Sequence, residues 1–250
     1  MKIRYVSDIH LEFIKPNKLQ ALLKKMTPTG LEDVLILAGD IGKPYSENYR
    51  LFTDHINKHF KRTYIIAGNH EYYGKTTMNE TTKYMTEYFQ QYENIRFLNN
   101  DIDKYQGITF LGTTLWSHIS HPEYEINDIY SIPNFDYTKY NQLNKTCVNF
   151  LENAIQEDGK YIIISHHQPS QDLIDAKYKT PRMLPYNQWF YCDMNEFIEK
   201  NREKIKCWFY GHTHTPLQTT LYNVPMCCNP IGYPNENPIN DYTKTIEIES

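Results

Sequence analysis

The sequence predicts an α/β protein in which two mixed sheets pack together between flanking helices. Short apolar runs rich in Val, Ile, Tyr and Phe read as buried strands. Helical patterns separate most of these runs, as layered α/β architectures require. In the C-terminal third the strands follow one another closely, punctuated by Gly, Pro and Asn, as hairpin-connected neighbours do. No repeat, low-complexity tract or linker breaks the 250 residues, so a single domain over 1–250 is expected.

The elements follow in order. Lys2–Val6 is the first strand and ends in Ser7-Asp8-Ile9-His10; a helical pattern covers 17–26. Val34–Ala38 ends in Gly39-Asp40 and precedes a helix over 47–61. The run 64–67 ends in Gly68-Asn69-His70 and precedes a helix over 76–92. A strand over 108–116 follows Gly107. Helix 140–156 leads to strand 161–164, which ends in Ser165-His166-His167. Helix 188–204 leads to strand 207–210, which ends in Gly211-His212-Thr213-His214. Strands 219–222, 226–228 and 243–249 close the chain. The stretches 117–139 and 172–187 lack periodicity and read as excursions over an active face, since loops that long are commonly functional.

Five strands thus end in Asp, Asn or His. In open α/β sheets, ligands collect at the carboxyl ends of strands, so the five endings describe one site built from distant segments. In extended backbone, side chains at i and i+2 share a side. Asp8 and His10 can therefore meet on one ion, and His212 and His214 can straddle two. Paired ions sit roughly 3.5–4 Å apart and need a bridging anion, for which Asp40 is the best-placed carboxylate. Asn69 offers a carbonyl oxygen and His166 an imidazole. Two divalent cations against Asp8, Asp40 and a bridging hydroxide leave about one net positive charge, which attracts a phosphate ester. Imidazole, carboxylate and amide without thiolate suit Mn, Fe, Zn or Co, with Mn the first choice, rather than Ca.

The blocks Asp8-Ile9-His10, Gly39-Asp40-Ile41-Gly42, Gly68-Asn69-His70-Glu71, Ser165-His166-His167 and Gly211-His212-Thr213-His214 resemble, in order, those of calcineurin-like metallophosphoesterases. The resemblance implies a four-layer α/β/β/α sandwich and two divalent transition-metal ions. It assigns Asp8, His10, Asp40 and His214 to one ion and Asp40, Asn69, His166 and His212 to the other. It also makes His70 the acid beside them. Thr114-Leu115-Trp116, Asn127-Asp128 and Asn229-Pro230-Ile231-Gly232-Tyr233 are similar to a branch of small bacterial and phage members. The protein Ser/Thr phosphatase branch carries Asp-Arg-Gly and His-Gly-Gly where this chain has Ile41-Gly42-Lys43 and His166-His167-Gln168, which argues against that activity.

The expected reaction is hydrolysis of a mono- or diester of a small molecule. A metal-bridging hydroxide attacks phosphorus in line, and His70 protonates the departing oxygen. A catalytically silent metal-binding scaffold and a nuclease are the alternatives. A net charge of −4 and a pI near 6.2 argue against capture of long nucleic acid. The five cysteines show no C-x-x-C spacing, and Cys207 reads as a small buried hydrophobe. No apolar stretch is long enough to span a bilayer, and a strand starting at Lys2 leaves no room for a leader; a cytoplasmic setting is expected. Oligomeric state is not legible.

Four residues are candidate substrate contacts: Arg182 as a phosphate clamp, His118 at the mouth, and Asn229 and Tyr233 on the turn after strand 226–228. His167 either faces substrate or packs. Glu71 either orients His70 or a ligand, or begins the next helix. His55 and His59, at helical spacing, have no third ligand nearby and read as solvated helix residues.

Overall fold

The computed structural model describes residues 1–28, 30, 32–155, 159–234, 236 and 241–249. One sheet has the order β11-β1-β2-β3-β4. In it β1 (Lys2–Val6), β2 (Val34–Ala38), β3 (Arg62–Ile66) and β4 (Ile95–Phe97) run parallel, and β11 (Thr245–Glu247) lies antiparallel to β1. The other sheet has the order β5-β6-β7-β8-β10-β9. Its β6 (Ile108–Thr113), β7 (Tyr161–Ser165), β8 (Ile205–Tyr210) and β10 (Val224–Cys228) are parallel, between antiparallel edges β5 (Asp101–Tyr105) and β9 (Leu217–Leu221).

The period-two geometry of strands divides each apolar run between two cores. Ile3 and Tyr5 of β1, Ile36 of β2, Ile164 of β7 and Phe209 of β8 face the space between the sheets. Tyr64 stacks on Phe110 there, ring centroids 4.1 Å apart. The alternate residues Leu35, Leu37, Ile65, Ile163 and Trp208 point outward and share a core with the helices. Those helices are α1 (Pro16–Met26), α2 (Glu47–His59), α3 (Met78–Phe89), the short α4 (Asn127–Ser131), α5 (Tyr137–Ala154) and α6 (Asn195–Asn201). Their amphipathic faces supply Leu22, Phe52, Met85, Leu151 and Ile198. The result is helix, sheet, sheet, helix. On the outer face of β1 the buried Arg4 pairs with Glu32 and donates to the carbonyl of Met26 at the end of α1.

The backbones at the carboxyl ends of the two sheets are tied together beyond β1 and β10. Ser7, just beyond β1, receives from and donates to the chain after β10: Ser7 N–H to Asn229 O at 3.1 Å and Ile231 N–H to Ser7 O at 3.0 Å. Among the described residues no helix is long and apolar enough to cross a membrane.

Several elements differ from the expectation for identifiable reasons. Helix 188–204 is realised only as α6. Residues 190–192 are instead drawn alongside Gln168 by Gln168 N–H to Phe190 O at 3.2 Å and Cys192 N–H to Gln168 O at 2.9 Å. Strand 108–116 stops at Thr113, because Leu115 adopts φ 54°. Helix 140–156 begins earlier, at Tyr137, where the Asp136 carboxylate accepts from Lys139 N–H as an N-cap; Gln156 lies outside the described residues. Strand 243–249 becomes β11 on β1, in the other sheet from the β9–β10 hairpin it was expected to join.

Truncating Phe110 to Ala removes one face of the inter-sheet stack and should cost about 3–5 kcal/mol in urea unfolding. Ile102→Ala on the exposed edge strand should cost about 0.5 kcal/mol or less. Equal losses would contradict this assignment of the core.

Candidate metal centre

The backbone beyond each strand departs sharply from extended geometry. Asp8, His10, Asp40, His212 and His214 have φ of 52°, 51°, 53°, 69° and 50°. Non-glycine residues rarely occupy this left-handed region, though Asp and His enter it more easily than most. The convergence of Asp8 with His10, and of His212 with His214, is therefore not that of a pleated strand. Each is turned by left-handed backbone at both residues.

Glycines precede Asp40, Asn69 and His212 because nothing larger fits. A Cβ on Gly68 would lie 2.2 Å from Asp40 Oδ1, one on Gly39 2.5 Å from His166 Nδ1, and one on Gly211 2.7 Å from Asp8 Oδ2. Glu71 locks two of these turns. Its buried carboxylate accepts from the backbone N–H groups of Asp40 at 3.0 Å, Ile41 at 2.7 Å, Gly42 at 3.3 Å and Gly68 at 2.7 Å. It therefore orients the Asp40 loop rather than the His70 side chain.

The side chains meet in two groups. Asp8 Oδ1 lies 3.3 Å from His214 Nε2, which is 3.1 Å from His10 Nε2. His166 Nε2 lies 3.0 Å from Asn69 Oδ1 and 3.3 Å from Asp40 Oδ2. His212 joins this second group. Asp40 Oδ2 is also 4.0 Å from His10 Nε2, so this carboxylate faces both groups.

The outer partners leave the inward atoms available to a cation. His166 Nδ1 bonds Ala38 O at 2.9 Å, His10 Nδ1 faces Glu12 at 3.2 Å, and His214 Nδ1 faces Glu236 at 2.6 Å. An imidazole that donates from Nδ1 presents the Nε2 lone pair to a metal. Asn69 Nδ2 donates to Asp128 at 2.8 Å and to Tyr73 at 3.2 Å, which turns Oδ1 inward. His212 Nε2 is buried with no hydrogen-bond partner. Orphaned buried nitrogens are costly, and a cation satisfies this one. The donor set fits a pair of divalent ions, with Asp40 between them.

Without a cation the same contacts favour protonated imidazoles at His166 and His214, and a bound cation would displace those protons. Burial alone would raise the Asp8 and Asp40 carboxyls, but His214 beside Asp8 and His166 beside Asp40 hold both below the usual range. Burial works to lower His166 and His214; Asp40 outweighs it at His166, raised to about 10, and Asp8 and Glu236 at His214, raised to about 9. Burial, then His167 and His166, depress His212 strongly. His70 rises despite burial because Asp40 and Glu12 favour its cation.

His70 and Tyr233 stand at the wall of a cavity of about 380 Å³ that also exposes Asp40, Asn69, His212 and His214. His70 N–H donates to Asp40 Oδ1 at 2.8 Å; its Nδ1 faces Glu12 at 3.4 Å and its Nε2 the Tyr233 hydroxyl at 3.2 Å. The 117–139 and 172–187 excursions supply much of the remaining wall, including Asp128, Ile174 and Tyr186.

The other residues singled out lie elsewhere. Arg182 and His118 are exposed and do not line this cavity. Asn229 is buried and spends its amide on Tyr5 O and Asp241 O, both at 2.8 Å, tying the end of β10 to β1. His167 packs, bonding Tyr140 at 2.8 Å and Thr114 O at 3.2 Å, with burial and His166 pushing it down to about 3. All five cysteines are buried and free, Cys207 among them. Glu12, Asp128 and Glu236, which orient the inward donors, were not singled out as site residues. Glu12, two residues past His10, carried the clearest signal.

Comparison with known proteins agrees with this geometry. A family profile described as "Calcineurin-like phosphoesterase" matches residues 1–216. A protein of Acanthamoeba polyphaga mimivirus, "Uncharacterized protein L509", is 29% identical over 268 residues, covering 96% of this chain and 94% of its own. The fold is similar to that of phosphopantetheinyl hydrolase (PptH) from Mycobacterium tuberculosis, with TM-score 0.74 and 16% identity over 98% of this chain and 95% of that one. It is also similar to GAP50, described as the anchor in the inner membrane complex of Plasmodium, with TM-score 0.56 and 11% identity over 100% and 78%.

Gly68→Ala forces Asp40 to move and should weaken cation uptake while the protein stays folded. Metal content after equilibration with Mn²⁺, read by elemental analysis, checks this. Undiminished content would contradict the close approach assigned to Gly68.

Proposed function

We propose that this chain, which belongs to the calcineurin-like phosphoesterase family, hydrolyses phosphate esters of small molecules at a centre of two divalent transition-metal ions. The observation that carries the reading is the convergence of four imidazoles and an amide oxygen on Asp8 and Asp40 beside an open cavity. Asp8, His10, Asp40 and His214 would hold one ion; Asp40, Asn69, His166 and His212 would hold the other. Mn²⁺ is the first choice for assay. Bound divalent ions supply Lewis-acid stabilisation of phosphoryl oxygens and a water acidified enough to attack at neutral pH.

The chain's own groups do the rest. His70 stands within reach of a leaving oxygen in the cavity, and Glu12 at its Nδ1 supports the protonated ring. Its role is to place a proton on the departing alkoxide. The Tyr233 hydroxyl, hydrogen-bonded to His70 Nε2, is positioned to share that oxygen. Asp128 keeps the Asn69 amide from rotating its nitrogen toward the cations.

The cavity volume suits one small ligand. Among the described residues no Lys or Arg lines it, and a nuclease would want a basic groove. Unpaired thiols fit a reducing, cytoplasmic setting.

His70→Ala should retain both metals yet lose roughly 10²–10⁴-fold in turnover of an ester with a poor leaving group. Asp40→Ala should lose metal and activity together. Assays on phenyl phosphate and its methyl diester, paired with elemental analysis, check both. Full turnover by His70→Ala would refute the acid role.

A further inference from the structure

The cavity extends well beyond the cations. Phe190, drawn into place by the Gln168 pairing, sets its ring 4.9 Å from that of His212. Past it lie Tyr178 and Tyr186, with Tyr178 held by an Asn187 amide that donates to its carbonyl at 3.1 Å. This part of the lining, the distal lobe, combines those rings with Ile126, Ile174 and Met183 and carries two carboxylates, Glu125 and Asp175. Glu125 accepts from the Tyr130 hydroxyl, and Asp175 caps a turn through Lys177 N–H at 2.9 Å. Neither is paired with a cationic side chain among the described contacts.

Apart from the imidazoles of His70, His212 and His214, the charged side chains of the described lining are all carboxylates. Asp40, Asp128, Glu236, Glu125 and Asp175 all line the cavity, and no Lys or Arg appears among the described lining residues. None of the positions outside the described set is Lys or Arg either. Lys177 is exposed, with its ammonium 4.8 Å from the Tyr178 ring, but it does not line the cavity. His212, whose buried Nε2 lacks a partner, opens onto the same cavity and fixes where the phosphoryl end must go. A substrate reaching from there past Phe190 brings its alcohol part between aromatic faces and carboxylates. Aromatic faces attract cations, and the carboxylates attract cations and repel anions.

We propose that this lobe selects phosphate esters whose alcohol part carries an ammonium group, accepts neutral ones, and turns away those bearing a second anion. The inference rests on the phosphoesterase reading and narrows it to a substrate class. Substrates with a further phosphate or carboxylate on the alcohol part are disfavoured, because no Lys or Arg among the described lining residues offsets its charge.

The test uses the Mn²⁺-loaded protein and three esters with matched leaving groups. They are the phosphates of tyramine, 4-ethylphenol and 3-(4-hydroxyphenyl)propionate, as monoesters and as methyl diesters. Each phenol carries a saturated two-carbon arm, which insulates it from the charged group in the two ionic esters, so the main difference is the distal charge. The expected order of kcat/KM is ammonium, neutral, carboxylate, with the carboxylate ester roughly tenfold or more below the neutral one. Glu125→Gln combined with Asp175→Asn should shrink that ratio to about threefold or less. Equal kcat/KM for all three esters overturns the proposal and leaves the phosphoesterase reading standing. Turnover of none, by protein shown to hold metal, overturns the phosphoesterase reading itself. Calorimetric titration with free tyramine and free 3-(4-hydroxyphenyl)propionate decides the lobe without turnover: tyramine should bind more tightly, and the reverse order refutes the selectivity.

Discussion

Asp40 must face imidazoles from both sheets at once, and much of the surrounding architecture follows from that requirement. Its Oδ2 lies between His10 of the first sheet and His166 of the second. Reaching both requires left-handed backbone at Asp40. The neighbouring chain at Gly68 must also approach too closely for any side chain. Such conformations cost about 1–3 kcal/mol each. Here they are over-determined by bonds made elsewhere: the Glu71 carboxylate grips the turns on either side of Asp40, and Ser7 ties the two sheets together. Rigidity of this kind lets carboxylates and imidazoles stay close together while awaiting cations.

The electrostatics of the centre are more acidic than the donors themselves suggest. Glu12 sits behind His10 and His70, Glu236 behind His214, and Asp128 behind Asn69. Each carboxylate fixes the orientation of an inward atom and raises the basicity of the group it holds. Together these three carboxylates outweigh the single positive charge expected from two divalent ions with Asp8, Asp40 and a hydroxide. Under the proposed function, attraction of a phosphate would then depend on direct contact with the ions rather than on a broad positive field. That local dependence agrees with a cavity whose lining contains no Lys or Arg among the described residues.

Much of the fold was legible because buried strands leave short apolar runs and the five endings carry donors. The inward residues Asp8, His10, Asp40, Asn69, His166, His212 and His214 could be listed from that pattern. The reason offered for their convergence was another matter, because an extended i, i+2 geometry gives way to left-handed turns. Edge strands β4 and β5 escaped notice: one has three residues, and the other reads Asp-Ile-Asp-Lys-Tyr, too charged to show a buried face. Helix 188–204 was overestimated because a helical pattern says nothing of pairing with Gln168. Arg182, His118 and Asn229 show the limit of reading contacts from residue type. Their side chains are placed by loops and by tertiary hydrogen bonds, neither of which has a period.

The central claim is that two cations share Asp40. Anomalous diffraction at the manganese edge, from crystals equilibrated with Mn²⁺, tests it most directly. The account predicts two peaks roughly 3.5–4 Å apart, one nearest Asp8, His10 and His214, the other nearest Asn69, His166 and His212, with Asp40 Oδ2 touching both. A single peak, or a pair that Asp40 does not bridge, would contradict it.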